Sequence, residues 1–213
     1  MAVWTIVVAA GSGERFGGSK QLMPLGATRV IDLALAAARS VSDRVVVVVP
    51  PGVDWGLGAA IVVAGGATRS ASVRAGLAAV PDDAEVVLVH DAARPLAAVD
   101  VFERVIDAVR SGADGAVPAL PIADTVKQVR DGVVVATLPR DDLVTVQTPQ
   151  AFRAAVLRAA HAAAPEGTDD AAVVEAAGGT VVVVTGAADN FKITTPADLQ
   201  RAVALLATRG AAR

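Results

Sequence analysis

Cysteine is absent from this 213-residue chain. That absence excludes a disulfide scaffold, a thiolate zinc site, an iron–sulfur cluster and a cysteine nucleophile. Only two histidines remain for metal ligation or general-base work. A surplus of one charge is also missing, with 19 Lys+Arg against 22 Asp+Glu and a net charge of -3. A sequence-independent nucleic-acid binder needs a strong basic excess, so no nucleic-acid partner is expected. Hydrophobic residues make up 54% of the chain, yet no apolar run approaches the ~18 residues of a membrane span. No membrane partner is expected either. The opening stretch MAVWTIVVAAGSG has no basic region ahead of its apolar residues, unlike a signal peptide, and the expected location is the cytoplasm. At ~150 residues per domain, the length suits one domain over 1–213 with room for an appendage.

What is present is a recurrence of short Val-rich runs bounded by Pro, Gly or acidic residues: Val3 to Ala10, Arg44 to Val49, Ile61 to Ala64, Glu85 to His90, Ala116 to Leu120 and Thr180 to Val184. Continuous β-branched runs of this kind predict strands buried on both faces of a mostly parallel sheet. Between them lie stretches with helical spacing: Val30 to Arg39, Ser70 to Val80, Val99 to Ser111, Pro149 to Ala164, Asp169 to Ala177 and Pro196 to Thr208. The alternation predicts a doubly wound α/β fold. A loose Ala/Arg tail is expected after Leu206. One segment breaks the rhythm: Thr125 to Val129 and Val133 to Thr137 flank Asp131-Gly132, a strong hairpin signal. A lone two-stranded ribbon is marginal, so this arm, at about 121–140, is expected to project from the sheet and pack on a second copy of the chain.

The first strand runs into Ala9-Ala10-Gly11-Ser12-Gly13-Glu14-Arg15-Phe16-Gly17-Gly18-Ser19-Lys20. A glycine-rich turn at the carboxyl end of a strand can present backbone N–H groups to a phosphate chain. It is not a dinucleotide fingerprint, because Phe16 stands where GxGxxG needs its third glycine. Nor is it a Walker A loop, because Ser19-Lys20 reverses the required order. What remains is GxGxR followed closely by a lysine. A forked cation and a point cation beside an anion-binding turn suit a triphosphate. The plainer account is a strand-to-loop turn with two solvated cations.

Asp91 and Arg94 follow the apolar strand ending at Val89, on the same sheet edge as the glycine turn. A carboxylate there can hold Mg²⁺ between phosphates; alternatively, the pair closes a turn. Lys192 lies before a helix in which Thr195 reads as N-cap, Pro196 as N1 and Asp198 as N3. The capping leaves Lys192 unexplained: it either snorkels to solvent or reaches a phosphate. Thr148 and Thr168 each precede a helix-like stretch, so each has an account as an N-cap, and an anion can sit at such a position too. His90 reads as a half-buried strand residue. His161 sits in an Ala-rich stretch and receives no role.

The glycine-rich stretch, then Gly65-Gly66 with Arg69, Ser72-Val73 and Gly76-Leu77, His90-Asp91-Ala92-Ala93-Arg94-Pro95, Asp124-Thr125-Val126-Lys127, Thr148-Pro149-Gln150, Thr168-Asp169-Asp170-Ala171 and Asp189-Asn190-Phe191-Lys192-Ile193-Thr194 occur in this order. Together they resemble the 2-C-methyl-D-erythritol 4-phosphate cytidylyltransferases, over almost the whole chain. The resemblance implies a Rossmann-like nucleotidyltransferase fold and transfer of CMP from CTP to methylerythritol phosphate with release of pyrophosphate. It implies catalytic roles for Arg15, Lys20 and Lys192, and nucleotide binding by Ala9, Ala10, Gly11, Gly13, Gly65, Gly66 and Ser72. It implies substrate binding by Arg94, Thr125, Arg140, Thr148 and Thr168, with Thr125 and Arg140 serving the neighbour in a homodimer built through the arm. Mg²⁺ is implied on Asp91, with Asp189 as a second ligand. No Ser/His/Asp constellation is visible, which suits a transfer that needs positioning and charge neutralisation rather than a protein nucleophile. Two other readings are a cytidylyltransferase for another polyol phosphate, such as ribitol 5-phosphate, and a nucleotide-sensing module without turnover.

Overall fold

A computed structural model describes residues 2–11, 16, 18–58 and 60–211. Its elements follow the alternation. β1 (Val3–Val8), two short strands β2 (Pro24–Leu25) and β3 (Thr28–Arg29), α1 (Val30–Val41), β4 (Arg44–Val49), β5 (Ile61–Ala64) and α2 (Arg69–Leu77) come first. β6 (Val86–Asp91), α3 (Val99–Arg110), β7 (Gly115–Pro121), the hairpin β8 (Val126–Arg130) and β9 (Val133–Leu138), and β10 (Val144–Val146) come next. β11 (Gln150–Arg153), α4 (Ala154–His161), α5 (Asp170–Ala176), β12 (Val181–Thr185) and α6 (Pro196–Ala211) complete the chain.

An eight-stranded sheet runs β10-β7-β11-β6-β1-β4-β5, with β12 also paired to β7. β1 pairs in parallel with β4 and β6, β4 with β5, and β7 with β12; β10 and β11 are antiparallel insertions. Unbroken valine runs work here because both faces are covered. Val45, Val47 and Val49 of β4 join the core beneath α1 and α3, whereas Val46 and Val48 join the core beneath α2, α4 and α5. A third cluster of Leu25, Val30, Leu96, Ile193 and Ala202 seats α6. The doubly wound, mostly parallel expectation holds.

Four local expectations need correction. Strands β5 and β12, each paired with a single neighbour, are not buried on both faces; Ile61, Val62 and Val183 are exposed, as at a sheet edge. The stretch from Pro149 to Ala164 opens as strand β11 before α4 begins. Its Gln150, Ala151 and Phe152 are buried, which a surface helix would not require. The cap of α5 is Asp169, whose side chain accepts from Ala172 N, and not the exposed Thr168. α6 runs on to Ala211, through the expected loose tail. Its start is as read: Asp198 Oδ2 accepts from the backbone N–H groups of Thr194 and Thr195, and the Thr195 hydroxyl takes Asp198 N. The hairpin also forms as read, on Asp131 at φ 48 and Gly132 at φ 78, the left-handed pair a tight two-residue turn demands.

Candidate active site

At the carboxyl ends of β1 and β6, Val8 and Asp91 are register partners. The chain exits β1 and β5 side by side: Ala9 N donates to Val48 O, and Gly65 N to Val49 O. A Cβ on Gly65 would lie 2.4 Å from Ala10 Cβ and 2.9 Å from Ser72 Oγ. Glycine is therefore what lets the two loops meet. The Ser72 hydroxyl accepts from Gly66 N and donates to Thr68 O, fixing the second loop onto the first turn of α2. Gln21, buried beside Lys20, donates to Ala9 O and Gly11 O and pins the glycine turn from beneath.

Between these loops opens a cleft of about 610 Å³. Ala10, Gly11, Lys20, Gly66, Ser72, Asp91 and Lys192 line it, as do Gln21, Thr68, Arg69 and Thr194. Ala9 and Gly65 lie just behind the wall. Gly13 and Arg15 lie outside the described residues.

Asp91 is the electrostatic centre. Its Oδ2 accepts from Lys192 Nζ at 2.6 Å, and Arg69 Nε lies 3.5 Å from its Oδ1. Burial pushes this carboxyl upward, but Lys192, Arg69 and Arg94 outweigh it and hold the group far below the usual carboxylate range. Burial pulls Arg69 down, and Asp170 and Asp91 more than offset it, so its proton is held tightly. Lys192 is placed by the loop that carries it: Arg94 Nη1 donates to Asn190 O, and Ile193 N donates to Ala93 O. These two bonds bracket the lysine. Arg94 thus braces the wall from behind rather than lining it.

The remaining threonines and the arm divide. Thr148 is no helix cap; its buried Oγ1 accepts from Asp91 N and meets His90 Nδ1 at 3.1 Å. His90 is fully buried rather than half-buried, and desolvation pushes it down to about 4. Thr125 and Arg140 lie exposed at the base of the arm, away from this cleft, where Arg140 Nη1 donates to Ala123 O. Thr168 is exposed and also off the wall. His161, given no role from the sequence, is buried against Asp170.

Magnesium takes oxygen ligands and commonly keeps one or two carboxylates plus phosphate oxygens. Among the described residues Asp91 is the only carboxylate lining the cleft, and no group of three or more His, Cys, Asp or Glu could hold a metal. That donor set fits an ion carried mainly by a triphosphate, with Asp91 as its protein ligand. Asp189 is not brought to it; its carboxylate pairs with Arg209 at 3.1 Å, both side chains 42% exposed. Sequence reasoning gave Arg69 and Gln21 no role, although Arg69 stands within the motifs quoted for the resemblance and Gln21 directly follows Lys20.

Comparison with known proteins agrees over nearly the whole length. The sequence model of the 2-C-methyl-D-erythritol 4-phosphate cytidylyltransferase family matches residues 3–208. A bifunctional enzyme IspD/IspF of Dinoroseobacter shibae is 48% identical over 97% of this chain, but this chain spans only 54% of that relative. A 2-C-methyl-D-erythritol 4-phosphate cytidylyltransferase of Frankia casuarinae is 49% identical over 96% of this chain and 81% of its own length. The crystal structure of the 2-C-methyl-D-erythritol 4-phosphate cytidylyltransferase from Thermus thermophilus superposes with a TM-score of 0.85 at 40% identity, covering 96% of this chain and 98% of that one. With its order of motifs, its sheet and its cleft in agreement, this chain belongs to the 2-C-methyl-D-erythritol 4-phosphate cytidylyltransferase family.

Proposed function

We propose that the chain is a cytoplasmic cytidylyltransferase acting as one domain over 1–213, which transfers CMP from CTP to 2-C-methyl-D-erythritol 4-phosphate. The observation that carries this reading is the cleft itself. Lys192 and Arg69 flank one carboxylate, and Lys20 lines the same cleft beside a pinned glycine turn, in a chain that matches the family from residue 3 to residue 208.

A phosphate oxygen of the polyol phosphate attacks the α-phosphorus of CTP in line. The bond from that phosphorus to the bridging oxygen breaks, and pyrophosphate leaves with the electron pair. No bond to the protein forms. Lys20 and Lys192 face the charge that grows on the five-coordinate phosphorus, where fixed cations in a partly dry site act most strongly, and the family's motif gives Arg15 the same role. Asp91 would hold Mg²⁺, which would supply charge neutralisation on the triphosphate. The loops at Gly65-Gly66 and Ser72 hold cytosine and ribose through close backbone approach. Arg94, braced against Asn190 O, and Thr148, beneath Asp91, support the polyol phosphate side.

The arm carries the proposed dimer. Val129, Val133, Val134 and Val135 are each at least half exposed in one chain, an apolar strip that a second copy would cover. Arg140 and Thr125 would then serve the neighbour's cleft.

Pyrophosphate release tests the reading. With Mg²⁺ and methylerythritol phosphate, CTP is expected to outrun ATP, GTP and UTP, and ribitol 5-phosphate is expected to be a poor acceptor. ATP matching CTP would overturn the base assignment. Ribitol 5-phosphate matching methylerythritol phosphate would overturn the acceptor.

A further inference from the structure

Behind the cleft wall, charged side chains continue inward from Asp91. Arg69 turns Nε toward Asp91 Oδ1 at 3.5 Å and sets Nη1 on Asp170 Oδ2 at 2.8 Å. Asp170 opens α5 with its side chain 1% exposed, and its other oxygen lies 3.1 Å from Nε2 of His161 in α4. Nδ1 of that buried ring has no partner among the described residues. With the proton on Nε2, the ring donates to Asp170 and buries only a bare lone pair. Asp170 itself never reaches the cleft.

We propose that Asp170 is a positioning residue for nucleotide binding: it holds the Arg69 guanidinium in the cleft wall, shared between two carboxylates. This rests on the reading of the cleft as the CTP site. The unequal distances carry the argument. A guanidinium fork can serve two carboxylates along different edges, and here it sits at full hydrogen-bond contact with the buried one and stands off the one in the cleft. Asp170 is almost wholly removed from water, so its attraction for Arg69 is little screened. Asp91 is already satisfied by Lys192 at 2.6 Å. If Asp170 loses its charge, Arg69 closes onto Asp91, competes with Lys192 for the same carboxylate and leaves its place in the wall. The rival account makes Asp170 only an acid in the first turn of α5, favourable to that helix and indifferent to nucleotide.

A double-mutant cycle read by calorimetry with CTP and Mg²⁺ separates the two. Asp170→Asn is expected to weaken CTP binding about tenfold, and Arg69→Gln more. The double variant should fall within about twofold of Arg69→Gln alone, because the carboxylate acts only through the guanidinium. Multiplying factors would overturn the proposal, as would an Asp170→Asn protein that melts earlier but binds CTP unchanged. Arg69→Gln strands a buried carboxylate and can cost the fold. Arg69→Lys keeps the charge and supplies the second arm, with the same non-multiplying result expected. A wild-type chain that binds CTP but releases no pyrophosphate overturns the proposed transfer alone, since the cycle is read on CTP affinity. A wild-type chain that does not bind CTP overturns both.

Discussion

The chain has three lysines, and two of them, Lys20 and Lys192, line the same cleft. In a sequence that otherwise uses arginine for its cations, a compact, strongly hydrated point charge at both places suits a group whose charge changes during reaction. Lys20→Ala and Lys192→Ala are each expected to lower kcat by roughly 10²–10³ while changing the CTP KM far less, since such charges act mainly on the transition state. Steady-state kinetics check this; an unchanged kcat with a raised KM would assign the lysines to binding alone. Asp91 was legible from its place at the carboxyl end of an apolar strand, Lys20 from the glycine-rich stretch that precedes it, and Lys192 because the helix cap that follows leaves it unexplained. Arg69, Asp170 and His161 were not, because their meaning lies in contacts across long stretches of chain. Arg69 and Asp170 are 101 positions apart, and periodicity carries no trace of such a pair.

Among the elements, α2 matters most for the cleft, because its first turn carries Arg69 and Ser72. It lies close against the sheet at Gly76, where a Cβ would stand 2.5 Å from Ile6 Cγ2 and 3.0 Å from Val48 Cγ2. Gly76→Ala therefore sets two effects against each other. Alanine gains about 1 kcal/mol of helix propensity over glycine, whereas overpacking a filled core costs about 1–3 kcal/mol. The steric side is expected to win. Thermal unfolding should show a lower Tm, with CTP affinity falling as α2 is pushed off the sheet; a raised Tm would show that Ile6 gives way. Strand bounds for β4 and β5 were readable to the residue, since valine runs end sharply at Pro50 and Gly65. The sequence misled at β11, where an Ala-rich stretch has helical composition but Gln150–Arg153 are drawn into the sheet beside β6. Alanine tolerates either state, so tertiary pairing decided.

At the scale of the molecule, the two-stranded arm carries the proposed dimer. Arg140→Ala and Lys20→Ala chains are each expected to be nearly inactive alone. If Arg140 completes the neighbour's site, a mixed dimer holds one site with both lesions and one with neither, and activity returns toward about half that of a wild-type dimer, as for independent sites. Lack of recovery after demonstrated subunit exchange, or a monomer by light scattering at assay concentration, would rule out the shared site. The doubly wound sheet and the hairpin were legible from alternation and from Asp131-Gly132. The seating of α6 was not, because its cluster collects Leu25, Val30, Leu96, Ile193 and Ala202 from across the chain.

That seating also sets an order in time. A ribosome delivers β1, Asp91 and Arg69 long before Lys192, whose loop is held by Ile193 at Ala93 and whose helix docks through Ala202. Until α6 has emerged and docked, the nascent sheet holds Asp91 among arginines, without the ammonium that sits 2.6 Å away in the finished fold. Synthesis halted before Asp189 would leave most of the sheet built and the cleft without its second lysine.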